Sequence, residues 1–481
     1  MNLPIDFLNR MRSYLSDEYE AFLESYEAPE IKGLRVNTVA PGFNLGAICN
    51  EKDINDKVPW CENGYSYDSS DETFRPGRHP YHEAGAYYIQ EPSAMAPVEY
   101  LDVNPGDRVL DLCAAPGGKS TQIAGKLQGE GILISNEIMP DRARILSENI
   151  ERMGVRNALV ISEDPRNISA KFAGFFDKVL VDAPCSGEGM FRRSDIAVNE
   201  WSLENVSLCA DRQSWILDEA AKMLAPGGIL VYSTCTFSKE EDEEQIVSFL
   251  KRHPEFTLAP MTLYGGMRRG FASEESGNEG IGVRLWPHLV SGEGHFVCKL
   301  EKASTLDSEA KNPPPCGYDQ GLGKKDLDVL KEMREFLKEN MVSSDELISQ
   351  YKLTRFKDNI YMLPKECPSL KGLKVMRPGL HIGTILKNRF EPGHALAMAL
   401  KESEYKKICR LTLGDSKEAY KFINGETFNV TPQMLGYEED DYNKVKNGWY
   451  LITIDGISIG WGKLTNLIMK NHYPKGLRKS L

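Results

Sequence analysis

Arg108-Val109-Leu110-Asp111-Leu112-Cys113-Ala114-Ala115-Pro116-Gly117-Gly118-Lys119-Ser120 decides the fold. A short apolar run ends on an acid, small residues and paired glycines follow, and a helical pattern opens at Ser120. This predicts a buried strand over Arg108 to Leu112, a glycine-rich loop and a helix. Gly117 and Gly118 let backbone approach a ligand closely, and the helix N-terminus favours negative charge. The Gly-Gly-Lys-Ser ending is not a phosphate loop, because the required first glycine falls at Cys113. Nor is it GxGxxG, and alone the loop is equally a tight strand-to-helix turn without a ligand.

The same alternation continues outward. Strands are predicted at Gly131 to Ser135, Ala158 to Ile161, Lys178 to Val181 and Ile229 to Ser233. Helices are predicted at Pro140 to Met153, at Trp201 to Leu224 before Ala225-Pro226-Gly227-Gly228, and at Glu240 to Arg252. Such a pattern implies an α/β, doubly wound parallel sheet. Residues 1–95 mix short helical patterns with turn-rich stretches, Lys302 to Lys325 reads as a linker around Asn312-Pro313-Pro314-Pro315, and a β-rich region closes the chain. There Asp455-Gly456, between alternating apolar residues, signals a hairpin.

Acids recur at the predicted strand tips: Asp111, Glu137, Asp164 and Asp182. Each could cap a following helix. Four in succession favour a nucleoside cofactor, with Glu137 placed to hold ribose hydroxyls. Two strands end alike in thiols, Val179-Leu180-Val181-Asp182-Ala183-Pro184-Cys185 and Ile229-Leu230-Val231-Tyr232-Ser233-Thr234-Cys235. Parallel strands bring both thiols to one sheet edge, where open α/β sheets bind ligands. Most free cysteines are small buried hydrophobes, and that reading is kept for Cys49, Cys209, Cys298 and Cys409.

The 481 residues are 41% apolar, enough for a sizeable core and about three domains. No apolar run reaches a membrane span, and the first ten residues lack a signal-peptide pattern. Ten scattered cysteines without CxxC pairs argue against zinc and a disulfide framework, so a cytoplasmic protein is expected. The net charge of −12 counts against a nucleic-acid partner on average, but phosphate contact needs only a local basic face. Lys463, Lys470, Lys475, Arg478 and Lys479 form an acid-free tail, whereas Glu240-Glu241-Asp242-Glu243-Glu244 reads as solvated surface. Arg75, Arg78, Arg192 and Arg193 are candidate phosphate contacts, and His79 and His82 read as hydrogen-bonding rather than metal-binding.

Cys113-Ala114-Ala115-Pro116-Gly117-Gly118-Lys119, Asp182-Ala183-Pro184-Cys185-Ser186-Gly187 and Ser233-Thr234-Cys235-Thr236 together resemble the Sun-type RNA cytosine-5 methyltransferases. Leu34-Arg35-Val36-Asn37-Thr38 and Tyr88-Ile89-Gln90-Glu91-Pro92-Ser93 are similar to that family's N-terminal motifs. The match covers about residues 30–300, and the C-terminal extension resembles bacterial enzymes of this kind that methylate small-subunit ribosomal RNA and carry a PUA-like domain.

The resemblance implies an N-terminal α+β RNA-binding region (1–95), a Rossmann-like methyltransferase domain (96–301), a linker (302–325), a small connecting domain (326–385) and a C-terminal β-rich PUA-like domain (386–481). It implies S-adenosylmethionine as cofactor, held by Cys113, Ala114, Ala115, Pro116, Gly117, Gly118 and Lys119, by Glu137 at the ribose and by Asp164 near the adenine. Asn136 and Pro165 beside two of these acids depart from the family pattern. Asp182 lies near the methyl donor and base, Cys235 is the nucleophile, and Cys185 assists release. The implied partner is RNA, with no metal, no membrane and a monomeric enzyme.

The chemistry suits these groups. C5 of cytosine is a poor nucleophile until a thiolate adds at C6, which splits one hard step into easier ones. A thiolate at neutral pH needs an electropositive or hydrogen-bonding surround. An acid at the N3/N4 edge stabilises developing charge, so Asp182 is expected to carry a raised pKa. The target must leave the stack, as RNA bases read by proteins commonly do. An amino-methyltransferase needs an Asn/Asp-Pro-Pro-aromatic loop absent here, and a DNA cytosine methyltransferase would use Cys185 as attacker. A transfer RNA substrate and a non-catalytic assembly factor remain the alternatives.

Overall fold

The computed structural model describes residues 3–39, 56–68, 75–273, 279–304, 322, 330–387, 389–413 and 417–479. Cys49 and almost all of the predicted linker lie outside them.

The central sheet is built as its alternating pattern dictates. Its parallel strands are β1 (Arg108–Asp111), β2 (Ile132–Asn136), β3 (Ala158–Ile161), β4 (Phe176–Asp182) and β5 (Leu224–Thr234), in the order β3-β2-β1-β4-β5. Crossover helices are α1 (Gly118–Leu127), α2 (Pro140–Arg152), α3 (Pro165–Lys171) and α4 (Leu203–Met223), with α5 (Glu243–Arg252) after β5. Strand order reverses between β1 and β4, so a crevice opens outside their carboxyl ends. Both faces are covered: Val109, Ile123, Leu133 and Leu146 pack on one side, and Leu110, Ile134, Val179 and Leu217 on the other. Burial on both faces is why these strands read as continuous apolar runs.

Antiparallel strands extend this sheet. Of these, β6 (Val283–Leu285) pairs with β7 (His295–Lys302), and β7 pairs with β5 so that Phe296 faces Thr234. Val375–Arg377 adds to the other edge beside β3. A four-stranded sheet before the core (Asp56–Lys57, Gly64–Asp68, Ile31–Val36, Tyr87–Ile89) follows two helices, Ile5–Leu15 and Tyr19–Ser25. Those helices pack Phe7 and Phe22 against Phe191, Trp201, Phe237 and Trp286.

Two smaller sheets follow the core. Tyr351–Phe356, Asn359–Pro364, Leu380–Leu386 and Arg389–Pro392 form one. The other holds the predicted hairpin, Gly448–Ile454 paired with Ile457–Thr465. Asp455 and Gly456 take φ of 48° and 87°, the left-handed pair that a tight two-residue hairpin requires. No helix among the described residues is long and apolar enough to cross a membrane.

Several boundaries differ from expectation. The first crossover helix starts at Gly118, two residues early, because Gly117 at φ 114° completes the turn. The helix after β5 starts at Glu243 rather than Glu240, because residues 235–242 are drawn into buried loops.

Candidate active site

The loop after β1 is pinned from several sides. The amide of Ala114 donates to Asn136 O (2.8 Å), Asn149 Nδ2 to Pro116 O (2.9 Å) and Arg142 to Ala115 O (3.1 Å). The Ala115–Pro116 bond is cis. At φ 114° Gly117 holds a backbone conformation that other residues rarely adopt, and a Cβ there would press on Leu146 Cδ1 at 3.2 Å. The N-terminal motifs brace the helix behind this loop: buried Arg35 donates to Gln90 Oε1 (3.0 Å), Thr121 Oγ1 (2.7 Å) and Gly118 O (3.1 Å).

The acids at the strand tips divide into different jobs. Asp111 is wholly buried; its Oδ2 accepts from Ser120 Oγ (2.6 Å), Oδ1 has no partner, and burial pushes its carboxyl up to about 7. Glu137 is buried, accepts from the Met139 amide (2.9 Å) and meets Arg142 at 3.3 Å. Asp164 caps α3, accepting from the Arg166 amide at 2.9 Å. Its Oδ1 is thus already engaged at the helix start.

Asp182 sits where β4 ends, ringed by donors. Its Oδ2 accepts from Lys119 Nζ (2.8 Å) and its Oδ1 from Ser233 Oγ (2.7 Å), with His295 Nε2 at 3.5 Å. At that distance His295 Nε2 makes no hydrogen bond. Burial alone would raise the Asp182 pKa, but Lys119 and His295 hold the carboxyl well below the usual range. The expectation of a raised pKa is therefore overturned: the ammonium of Lys119 outweighs desolvation. Burial works against that ammonium, yet Asp182 and Cys235 raise its pKa.

The two predicted thiols come together. Cys185 Sγ lies 3.4 Å from Cys235 Sγ, both half-buried. The contact with Cys235, together with burial, pushes the Cys185 thiol well up. Cys185 therefore keeps its proton and can donate it toward Cys235, and Lys119 adds positive charge nearby. Cys113, held in the loop between Asp111 and Asp182, is also pushed up, chiefly by burial.

Other sequence expectations are corrected. Glu241 and Asp242 are fully buried and Glu243 nearly so, rather than solvated. Arg284, also buried, lies 2.6 Å from Glu243 and 3.0 Å from Asp242. A cation from β6 thus lets these carboxylates enter the interior, which no local pattern reveals. Arg192 and Arg193 are not free for phosphate: Arg192 holds Glu293 (2.7 Å) and Arg193 holds Glu30 (2.6 Å). His79 caps the Pro80–Glu83 helix and His82 meets Glu83 at 3.1 Å. Cys209, Cys298 and Cys409 are buried. Among the described residues no cluster of three or more His, Cys, Asp or Glu could hold a metal. His295 and Ser233 were missed as neighbours of Asp182; only the β5–β7 pairing brings His295 there.

The site fits a nucleoside-bearing sulfonium donor. A buried carboxylate oxygen of Asp111 lacks a partner, Gly117 makes the left-handed turn that opens α1, and Glu137 stands at the tip of β2.

Comparison with known proteins finds matches to successive stretches of the chain. A model described as 16S rRNA methyltransferase RsmB/F matches residues 98–301. Models for the RsmF N-terminal domain, first C-terminal domain and PUA domain match residues 3–92, 335–400 and 413–479. The chain is 31% identical over 490 residues to ribosomal RNA small subunit methyltransferase F of Vibrio parahaemolyticus, covering 99% of this chain and 97% of that protein. The same protein of Vibrio campbellii is 30% identical over 488 residues, with the same coverage. A crystal structure of a methyltransferase homolog from Pyrococcus horikoshii is 30% identical, with TM-score 0.53, over 61% of this chain and 93% of that one.

Proposed function

Since this chain belongs to the 16S rRNA methyltransferase RsmB/F family, we propose that it methylates C5 of a cytidine in small-subunit ribosomal RNA through a covalent Cys235–C6 adduct. The observation that carries this is the 3.4 Å contact between Cys185 and Cys235 beside Asp182 and Lys119, at the carboxyl edge of a switch-point sheet.

S-adenosylmethionine supplies an electrophilic methyl group when bound; the loop Cys113–Lys119 and Glu137 are the residues to hold it. Cys235 attacks C6 as a thiolate, with the Cys185 sulfur in contact and the Lys119 ammonium nearby. Asp182, kept ionised, accepts from the cytosine N4 amino group and orients the ring. It does not donate to N3 as its expected raised pKa would allow. The positive charge of Lys119 offsets the negative charge that develops on the ring. After transfer the C6–S bond breaks and C5 loses its proton: Cys185 S–H protonates the departing Cys235 sulfur, and the Cys185 thiolate so formed takes the C5 proton, so both thiols end protonated. The β-rich C-terminal region with its basic tail, together with the N-terminal sheet, offers surfaces to hold folded RNA.

The test is mass analysis of nucleosides from ribosomal RNA or small subunits, taken from cells lacking this protein and incubated with enzyme and S-adenosylmethionine. Appearance of 5-methylcytidine is expected. Methyl incorporation only into adenosine or ribose would overturn the reading, and incorporation only into transfer RNA would replace the substrate.

A further inference from the structure

The sulfur contact needs an account. Each thiol lies just past its strand, in loops that β-sheet hydrogen bonds no longer fix. Two buried carboxylates cross between these loops in opposite directions. Glu241, six residues after Cys235, accepts from the Ser186 amide (2.9 Å), from Ser186 Oγ and from Gln213 Nε2 (2.8 Å). Ser186 directly follows Cys185, and its Oγ also meets Thr236 Oγ1 (2.9 Å), directly after Cys235.

The return bracket is Glu188, three residues after Cys185. It accepts from the Phe237 amide (2.8 Å) and Ser238 Oγ (2.7 Å) in the Cys235 loop, and from Trp201 Nε1 (3.0 Å). Between the brackets, the Gly189 amide donates to Cys235 O at 2.8 Å. A Cβ at Gly189 would sit 3.0 Å from that same oxygen, so the loops touch backbone to backbone. Glu188 and Glu241 are both fully buried. Burial pushes the Glu241 carboxyl up to about 7, and hydrogen bonds are electrostatically stronger in such a low-dielectric interior, which suits these groups to fixing loops.

We propose that Glu188 and Glu241 are positioning residues that cross-brace the two cysteine loops and thereby hold Cys185 Sγ against Cys235 Sγ. This rests on the reading of Cys235 as nucleophile, and it adds how the thiolate is kept next to its proton donor. If the loops part, Cys235 loses the Cys185 S–H and its thiol becomes harder to ionise.

The test reads the thiol without RNA. The pH midpoint for alkylation of Cys235 by iodoacetamide, located by peptide mass, is measured in the full chain. Cys185→Ala is expected to raise the midpoint by about one pH unit. Glu241→Ala should raise it comparably, Glu241→Gln should restore most of the difference, and Glu241→Ala in the Cys185→Ala background should add nothing. Glu241→Gln keeps one oxygen for the two N–H donors, and both hydroxyls can rotate to accept from its amide. Should Glu241→Ala fail to fold, Ser186→Ala and Thr236→Val cut the same bracket and carry the same expectation. An unchanged midpoint in the folded bracket variants, or shifts that add fully to that of Cys185→Ala, overturns the proposal. Because no methyl transfer is read, absence of 5-methylcytidine in the earlier assay would count against the reaction and leave this measurement standing.

Discussion

Lys119 and Asp182, 63 residues apart in the chain, meet at 2.8 Å where the loop after β1 crosses the end of β4. The pair explains how a half-buried carboxylate stays ionised. Removing the ammonium leaves Asp182 with only the Ser233 hydroxyl and the more distant His295 beside it. Lys119→Met is expected to lower kcat/KM for methylation at least 100-fold, about 3 kcal/mol.

The sign of the accompanying pH effect follows from the depressed pKa. In the wild type the Asp182 carboxylate persists at any pH above its low folded value, so it sets no limb of the rate profile near neutrality. In Lys119→Met its pKa rises, and activity should fall as pH drops through that new value. A pH–rate profile of the variant whose acid limb matches that of the wild type would refute this.

The two cysteines should separate by phenotype. Cys235→Ala removes the attacking sulfur and is expected to abolish methylation to background. Cys185→Ala spares attack but removes the proton carrier next to the adduct, so protein–RNA complexes stable to denaturing electrophoresis should accumulate. Full activity of Cys235→Ala, or adducts mapped to Cys185, would reverse the roles.

The meeting of the two thiols was legible in the sequence because each ends an apolar run that reads as a buried strand, and parallel strands align their ends. The sheet itself was legible for the same reason: burial on both faces leaves continuous Val, Ile and Leu. What stayed hidden depends on antiparallel additions. His295 reaches Asp182 only because β7 lies along β5, and Arg284 neutralises the acidic run only because β6 lies along β7. Five consecutive acids look like surface until the distant guanidinium that faces Asp242 and Glu243, and the Ser186 and Gln213 donors that hold Glu241, are placed. A raised pKa was expected of Asp182 because it would suit an acid at the N3/N4 edge; its ammonium neighbour Lys119 was not foreseen.

Asp111 predicts a pH dependence of stability in the absence of ligand. Burial raises its pKa from 3.8 to about 7, so folding favours the protonated form. Its contribution is full below the ordinary carboxylate value and is lost as pH rises through about 7, at no more than about 1.4 kcal/mol per pH unit. Thermal melts between pH 5 and 8 should show Tm falling as pH rises, and Asp111→Asn should flatten that fall. A slope identical in the variant would mean that the carboxyl is ionised throughout.

Arg284 tests the buried acidic run directly. The guanidinium bonds Glu243 through both Nε (2.7 Å) and Nη2 (2.6 Å), reaches Asp242 at 3.0 Å and donates to Phe237 O at 3.1 Å. Replacing it with Met keeps the stem's volume and strips Glu243 of its buried cation, beside Asp242, whose carboxyl burial already pushes well up. Breaking a buried pair in this way costs about 3–5 kcal/mol, far more than losing an exposed one. Asp242 also accepts from Thr234 Oγ1 at 2.5 Å, the residue before Cys235, so the damage should reach the site. Arg284→Met is therefore expected to lose stability by chemical denaturation and methylation together. Arg284→Met combined with Glu243→Gln and Asp242→Asn should recover part of the stability, because no unpaired charge then remains inside. If the triple variant is no more stable than Arg284→Met, the cost lies in packing around the guanidinium and not in the charges it neutralises.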